Sequence, residues 1–384
     1  MPIPYGRQTI DDEDVQAVVE VLRSDRLTQG PIVAAFEEDF ARACDAPYAV
    51  AFSSGTAALH GAALAAGLGP GDEFVTSAMT FAASANCGAY VGARPRFADI
   101  DAATWNVGAA SVAAVLAERT RAVIPVHYAG LPAPVREIRE AVGGDMVVIE
   151  DASHAVGAVA DGERVGACLH SDMSVFSFHP VKTITSGEGG MVTTRNHAFA
   201  DRLRLFRSHG LTKDPTRLEH AEGGWHQEQQ ELGFNYRLTD VHSALGRSQL
   251  RKLEAFIARR NEIADTYRDL LGEIEGLELP PAAQAGSRHA YHLFVVRCVR
   301  GAETRRRLYD GLHERGILAQ VHYMPVYLHP WYRRTFGYRE GLCPEAERLY
   351  EGCLSLPCFP ALAEDEQRIV VESVAEILSR EPSV

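Results

Sequence analysis

Between Tyr48 and Thr194 the apolar residues come in short unbroken runs separated by helix-length stretches. The runs are Tyr48 to Phe52, Glu73 to Thr76, Arg96 to Ala98, Ala122 to His127, Met146 to Glu150, Asp172 to Phe178 and Met191 to Thr194. A strand with one wet face alternates apolar and polar residues, whereas a strand covered on both faces does not. The intervening pieces, such as the small-residue stretch Thr56 to Ala66, have the length and composition of covering helices. The pattern predicts an α/β fold: a mostly parallel, doubly wound sheet.

At the amino end, Asp11 and Asp12 can cap a helix whose apolar residues Val15, Val18, Val19 and Leu22 recur at the spacing of one helix face. After about residue 240 the texture changes. Val241 to Leu271 reads as one long or broken helix, and Pro280-Pro281 marks a break. A strand (His292 to Val299), a helix (Glu303 to Arg315) and a short strand (Ile317 to His322) follow. With 384 residues, two domains are expected: residues 1–245 as the large domain and 246–384 as a smaller α+β domain.

The chain carries 38 basic and 51 acidic residues, a net charge of -13, and no dense basic stripe, which disfavours nucleic acid and anionic membranes as partners. No long apolar run and no secretory leader are evident, and the seven scattered cysteines contain no C-x-x-C pair. A cytoplasmic protein with free thiols and no metal site is expected.

Three segments carry chemistry. In Ser53-Ser54-Gly55-Thr56 a predicted strand turns into a helix, whose free N–H groups and positive dipole end suit a phosphate. A plain capping turn has the same sequence. In Val147 to His154 a strand delivers Asp151 to the carboxyl edge of the sheet, where open α/β folds bind ligands. There it can pair with a protonated pyridine nitrogen or merely cap a helix. In Ser174 to Lys182 a lysine follows an apolar strand. A desolvated amine loses its proton and can attack an aldehyde, although a lysine reaching back to solvent fits the same residues. Neither a P-loop nor a GxGxxG turn is present. Together the segments offer a phosphate cradle, a strand-end carboxylate and an amine, the set of groups that pyridoxal 5'-phosphate requires.

These residues, with Leu27-Thr28-Gln29-Gly30-Pro31, Thr80-Phe81, Gly187 to Gly190, Gly233 to Asp240 and His322-Tyr323-Met324-Pro325, resemble the DegT-type sugar aminotransferases over essentially the whole chain. The resemblance implies the aspartate-aminotransferase-like fold type I and a transaminase that moves an amino group from L-glutamate to a nucleotide-linked keto sugar. It implies that Lys182 carries the cofactor and shuttles protons and that Asp151 pairs with the ring nitrogen. His154 would lie on the ring-hydroxyl side, Phe81 would stack on the ring, and Ser54, Gly55, Thr56 and Ser177 would hold the phosphate. Asn235 would reach the phosphate of a neighbouring subunit in a homodimer with shared sites. Thr28, Gln29, His322 and Tyr323 would border the sugar. A sister group of dehydratases has His at the lysine position, so Lys182 points to transamination.

The segments Arg207 to Asp214, Gly223 to His226 and Gln229 to Gly233, with His154 where Gln is common, resemble one subgroup. It aminates UDP-4-keto-6-deoxy-N-acetylhexosamines toward pseudaminic acid. Gly187 and Thr183 depart from the commoner Ala and Pro. Arg207, Lys213 and Arg237 are candidates for the diphosphate by charge alone. Another keto sugar or an inosose as substrate, or a non-catalytic binding or regulatory protein, are the competing readings.

Overall fold

The computed structural model describes residues 2–220 and 222–379. Seven strands form the central sheet: β1 (Tyr48–Phe52), β2 (Glu73–Ser77), β3 (Arg94–Ala98), β4 (Thr120–Ile124), β5 (Val147–Asp151), β6 (Met173–Ser177) and β7 (Gly190–Thr194). Their order is β1-β7-β6-β5-β4-β2-β3, and only β7 runs against its neighbours. The expected mostly parallel sheet is present. The named strand ends at Ile124, where Pro125 has no N–H to give, but the run expected to reach His127 stays paired with Asp151 through Val126 and His127 N.

Apolar helices cover both faces. On one, α3 (Gly55–Ala65) sets Ala58, Leu59 and Ala62 against Phe52, Phe74 and Val175. On the other, Phe36 and Phe40 of α2 (Pro31–Ala43) meet Phe176 and Phe178 at ring separations of 5.0 to 5.3 Å. Each fully buried ring contributes roughly 1.5–3 kcal/mol relative to exposure. Side chains alternate across a strand, so Ile149 and Asp151 of β5 face the α3 side and Glu150 faces the other.

The first helix, α1 (Asp12–Leu22), has Asp11 at its cap, but its apolar row is not its buried face. Val15 and Leu22 are more than half exposed, while Asp14 and Val21 are buried. Asp14 turns inward because Lys252 Nζ, at 2.9 Å, and Gln249 Nε2, at 2.7 Å, compensate its carboxylate. The apolar row is therefore left for another surface.

The long helical stretch is broken, as its sequence allowed, into α6 (Asp240–Leu250) and α7 (Leu253–Leu271), with the α4 and α5 labels given to Ala83–Tyr90 and His197–Phe206. The division expected after residue 245 falls inside α6. Leu253 and Ile257 of α7 pack in the large core, and Ile263, Tyr267 and Leu271 pack in a second one. That second core surrounds an antiparallel sheet of β8 (Leu277–Glu278), β9 (Phe294–Cys298) and β10 (Cys353–Leu356). Ile3 belongs to it too, because Ile3–Pro4 pairs in parallel with Ile317–Leu318.

Asp240 ties the amino-terminal region to this junction. Fully buried, it accepts hydrogen bonds from Gly30 N at 2.7 Å and Ile32 N at 2.9 Å, capping α2 from more than 200 residues away. A charged acceptor at a helix start contributes about 2 kcal/mol. Urea unfolding of Asp240→Ala should show a loss of that size, and a change below about 0.5 kcal/mol would refute the capping role.

Candidate active site

Because β7 is reversed, its first residue reaches the same sheet edge as the last residues of β1 and β6. Gly190 pairs with Phe52 on one side and Ser177 on the other. The chain then leaves β1 through Ser53 and Ser54, and Ser54 caps α3 by accepting from Ala57 N at 3.1 Å. Only glycine fits at two points. A Cβ on Gly55 would lie 2.8 Å from Ser177 Cβ, and one on Gly190 would lie 2.4 Å from Ser54 O. The start of α3, with Thr56 in its first turn, thus sits directly against the Ser177 hydroxyl: a short, electropositive cradle of phosphate size.

Asp151 ends β5 two registers below Ser177. Its carboxylate accepts from Ser84 Oγ of α4 at 2.5 Å and from Ser153 N at 3.1 Å. After Ser177 the chain turns through Phe178 to Gly189, with Phe178 bonded to Gly189 O and Lys182 N to His179 O. This turn aims Lys182 back at the edge. Protein crowds its amine, and the desolvation lowers its pKa to about 8, while the nearby Asp151 charge pulls it upward. Lysine so placed yields far more neutral amine near neutral pH than an ordinary lysine does, and can act as base or nucleophile.

A C-terminal segment closes the recess. Tyr323 OH lies 3.2 Å from His154 Nε2, and Tyr323 N donates to Met79 Sδ. His322 is held by Ser355 Oγ at 2.8 Å, and Tyr128 donates to its carbonyl. Burial, then the Lys182 charge, push His154 well below the usual histidine range and His322 to about 4, so both rings are neutral near pH 7. His154 Nδ1 is buried without a partner. Phe81, 59% exposed, stands at the mouth with its ring 6.0 Å from that of Tyr323.

Several neighbours were not evident from sequence. Ser84 reaches Asp151 from α4, His292 packs 4.4 Å from His154 between ring centres, and Tyr5 packs 5.0 Å from His322. Gly6 lies against Val181, next to Lys182, so the amino-terminal segment edges the site. Arg260, fully buried, positions the His292 segment by donating to the carbonyls of Tyr291 and Cys358 at 3.0 and 2.6 Å.

Three expected residues are exposed in this chain. Thr28 and Gln29 are exposed, with Thr28 bridged to Thr239, and Gln29 shares a cleft with Ser208 and Arg237. Asn235 is exposed and bridged to Ser208. Of the candidates for a diphosphate, Arg207 is engaged by Glu37 and Ala51 O, while Lys213 is exposed. A separate cavity on the far sheet face is lined by His127, Glu150 and His170. Burial raises the Glu150 pKa, but donors from His127, Ser171 and Ser174 outweigh it and leave the carboxylate below its usual range. That cluster is already satisfied.

The DegT/DnrJ/EryC1/StrS aminotransferase family profile matches residues 8–375. The chain belongs to this family. Like other DegT-family members it is a sugar aminotransferase that uses pyridoxal phosphate. Among relatives of the family, the spore coat polysaccharide biosynthesis protein SpsC of Bacillus subtilis is 38% identical over 98% of this chain and 97% of its own. Among solved structures, PseC of Helicobacter pylori, an aminotransferase involved in the biosynthesis of pseudoaminic acid, superposes with a TM-score of 0.91. It shares 30% identity over 99% of this chain and 100% of that one. A candidate sugar aminotransferase of Streptococcus pneumoniae, Spr1654, solved with pyridoxal phosphate, has a TM-score of 0.91 at 26% identity, covering 99% of each chain. The architecture is that of the fold-type I enzymes, as expected.

The features on this sheet edge fit that cofactor: a cradle that one added Cβ would fill, an amine with a lowered pKa, a strand-end carboxylate and an unpartnered buried imidazole nitrogen. Since only neutral amine attacks an aldehyde, the rate at which the cofactor-free protein binds pyridoxal phosphate should rise with pH and level off above about 8. Stopped-flow absorbance checks this. A rate still climbing toward about 10.4, the ordinary lysine value, would show that the amine is not desolvated.

Proposed function

We propose that this aminotransferase transfers the amino group of L-glutamate to a UDP-4-keto-6-deoxy-N-acetylhexosamine, giving UDP-4-amino-4,6-dideoxy-N-acetyl-β-L-altrosamine. The observation that carries the catalytic reading is the desolvated Lys182 amine within electrostatic reach of Asp151. The sugar assignment draws support from the PseC likeness and from His154, Ser208-His209-Gly210 and Trp225. The higher identity to SpsC favours a second reading, a different keto sugar in polysaccharide assembly.

When bound, pyridoxal phosphate supplies a carbon that holds the migrating nitrogen and a ring that takes up the electrons of the bond being broken. Lys182 is the attachment point and the base. Its neutral amine would take the proton from the donor's α-carbon and later return one to the sugar carbon. Asp151 would face the ring nitrogen and favour its protonated form. Ser54, Gly55, Thr56 and Ser177 would hold the phosphate, His154 would lie on the ring-hydroxyl side, and Phe81 would cover the ring. Tyr323 and His322 exclude water on the sugar side.

In this reading the protein is a homodimer and Asn235 completes the phosphate site of the other subunit, with Thr28 and Gln29 bordering the sugar there. The exposure of all three supports this, as do exposed apolar residues Val15, Leu22, Tyr90 and Phe234. Seven free, buried cysteines support the expected reducing, cytoplasmic surroundings.

With glutamate and the UDP-keto sugar, wild-type protein should release 2-oxoglutarate and the 4-amino sugar, and Lys182→Ala should lose at least about 10³-fold in kcat. Activity on another keto sugar alone would refute the substrate. Mixing Lys182→Ala with Asn235→Ala subunits should restore up to about a quarter of wild-type activity if the sites are shared. Mixtures no better than the parents would argue against Asn235 acting across subunits.

A further inference from the structure

Helix α4 reads as an alanine-rich filler, Ala-Ser-Ala-Asn-Cys-Gly-Ala-Tyr, yet it places one hydroxyl in the centre of the site. Ser84 is fully buried and Thr80, just before the helix, is 2% exposed. Ser84 Oγ lies 2.5 Å from Asp151 Oδ2, and Thr80 Oγ1 lies 2.6 Å from Ser84 Oγ.

A hydroxyl has one proton to give. Ser84 has two acceptors in reach, Asp151 Oδ2 and Phe81 O, the latter at 3.3 Å. The carboxylate is both nearer and charged, so it takes the proton. Ser84 Oγ is then free only to accept from Thr80, which fixes the polarity of the chain as Thr80 to Ser84 to Asp151. Ser153 N, at 3.1 Å, holds the other carboxylate oxygen. With a donor on each oxygen the carboxylate cannot rotate without losing one of them. Each such donor also draws electron density from the group that faces the ring.

We propose that Thr80 and Ser84 form a hydroxyl relay that positions Asp151 and orients its carboxylate toward the cofactor's ring nitrogen. This rests on the reading of Asp151 as the partner of that nitrogen. Neither hydroxyl touches cofactor or substrate, so both are positioning residues. A relay whose only role was to satisfy buried polar groups would affect stability alone.

The experiment compares wild-type, Ser84→Ala, Thr80→Val and Thr80→Ser full-length proteins. It reads the pyridoxal phosphate dissociation constant, the pH midpoint of the bound cofactor's visible band, and kcat and KM for glutamate. A hydrogen bond to a charged group is lost in Ser84→Ala, so affinity should fall about 10-fold or more. The band midpoint should move, and kcat should fall with KM for glutamate within about twofold. Thr80→Val should shift all three in the same direction by about threefold, and Thr80→Ser should restore them. Affinity within about twofold of wild type and an unmoved band in both Ser84→Ala and Thr80→Val would overturn the relay. Should Ser84→Ala fail to fold, the Thr80→Val and Thr80→Ser pair decides by the same criteria. A wild-type protein that binds no pyridoxal phosphate would instead remove the cofactor reading, and the relay with it.

Discussion

The site depends on keeping an amine and a carboxylate together in a recess poor in water. Desolvation lowers the Lys182 pKa to about 8, and the Asp151 charge limits the fall. Neither effect would arise if the recess were open. Its walls come from the large sheet, from the turn after β6, and from the C-terminal segment around His322 and Tyr323. The C-terminal segment must therefore pack against the large sheet before the amine acquires its chemistry.

The reversed strand β7 is the geometric counterpart of that electrostatic condition. In a wholly parallel sheet every strand would end at this edge, and each end would carry a loop of its own. With β7 reversed, Gly190 begins where β1 and β6 end, and a residue without a side chain occupies the narrowest point. The start of α3 can then close on Ser177. A positive helix terminus, a hydroxyl, a carboxylate and an amine are thereby brought to one edge by four separate pieces of chain.

Much of this was legible in the sequence, because burial on two faces leaves a direct trace in continuous apolar runs and because strand ends imply an edge. Lys182, Asp151, Ser177 and the Ser54 to Thr56 turn are where that logic puts them. Periodicity was misleading for α1, whose apolar row is exposed while Asp14 is buried against Lys252 and Gln249. Helical spacing reveals a face but not what covers it. Ser84, His292 and Arg260 were not legible, since a serine among alanines or an arginine on a charged helix looks like any solvated residue. Only tertiary contact separates them, such as the 67-residue span between Ser84 and Asp151.

The pairing of Ile3–Pro4 with Ile317–Leu318 has an effect on biogenesis. During translation Ile3 and Pro4 must wait, unpaired, until the chain has been made through Leu318. The central sheet contains all its strands by residue 194 and can condense long before that. Gly6, which edges the lysine turn, follows directly on that waiting strand. The last piece of the catalytic wall is thus put in place by a late, long-range closure, so nascent chains with a finished sheet would still be inactive.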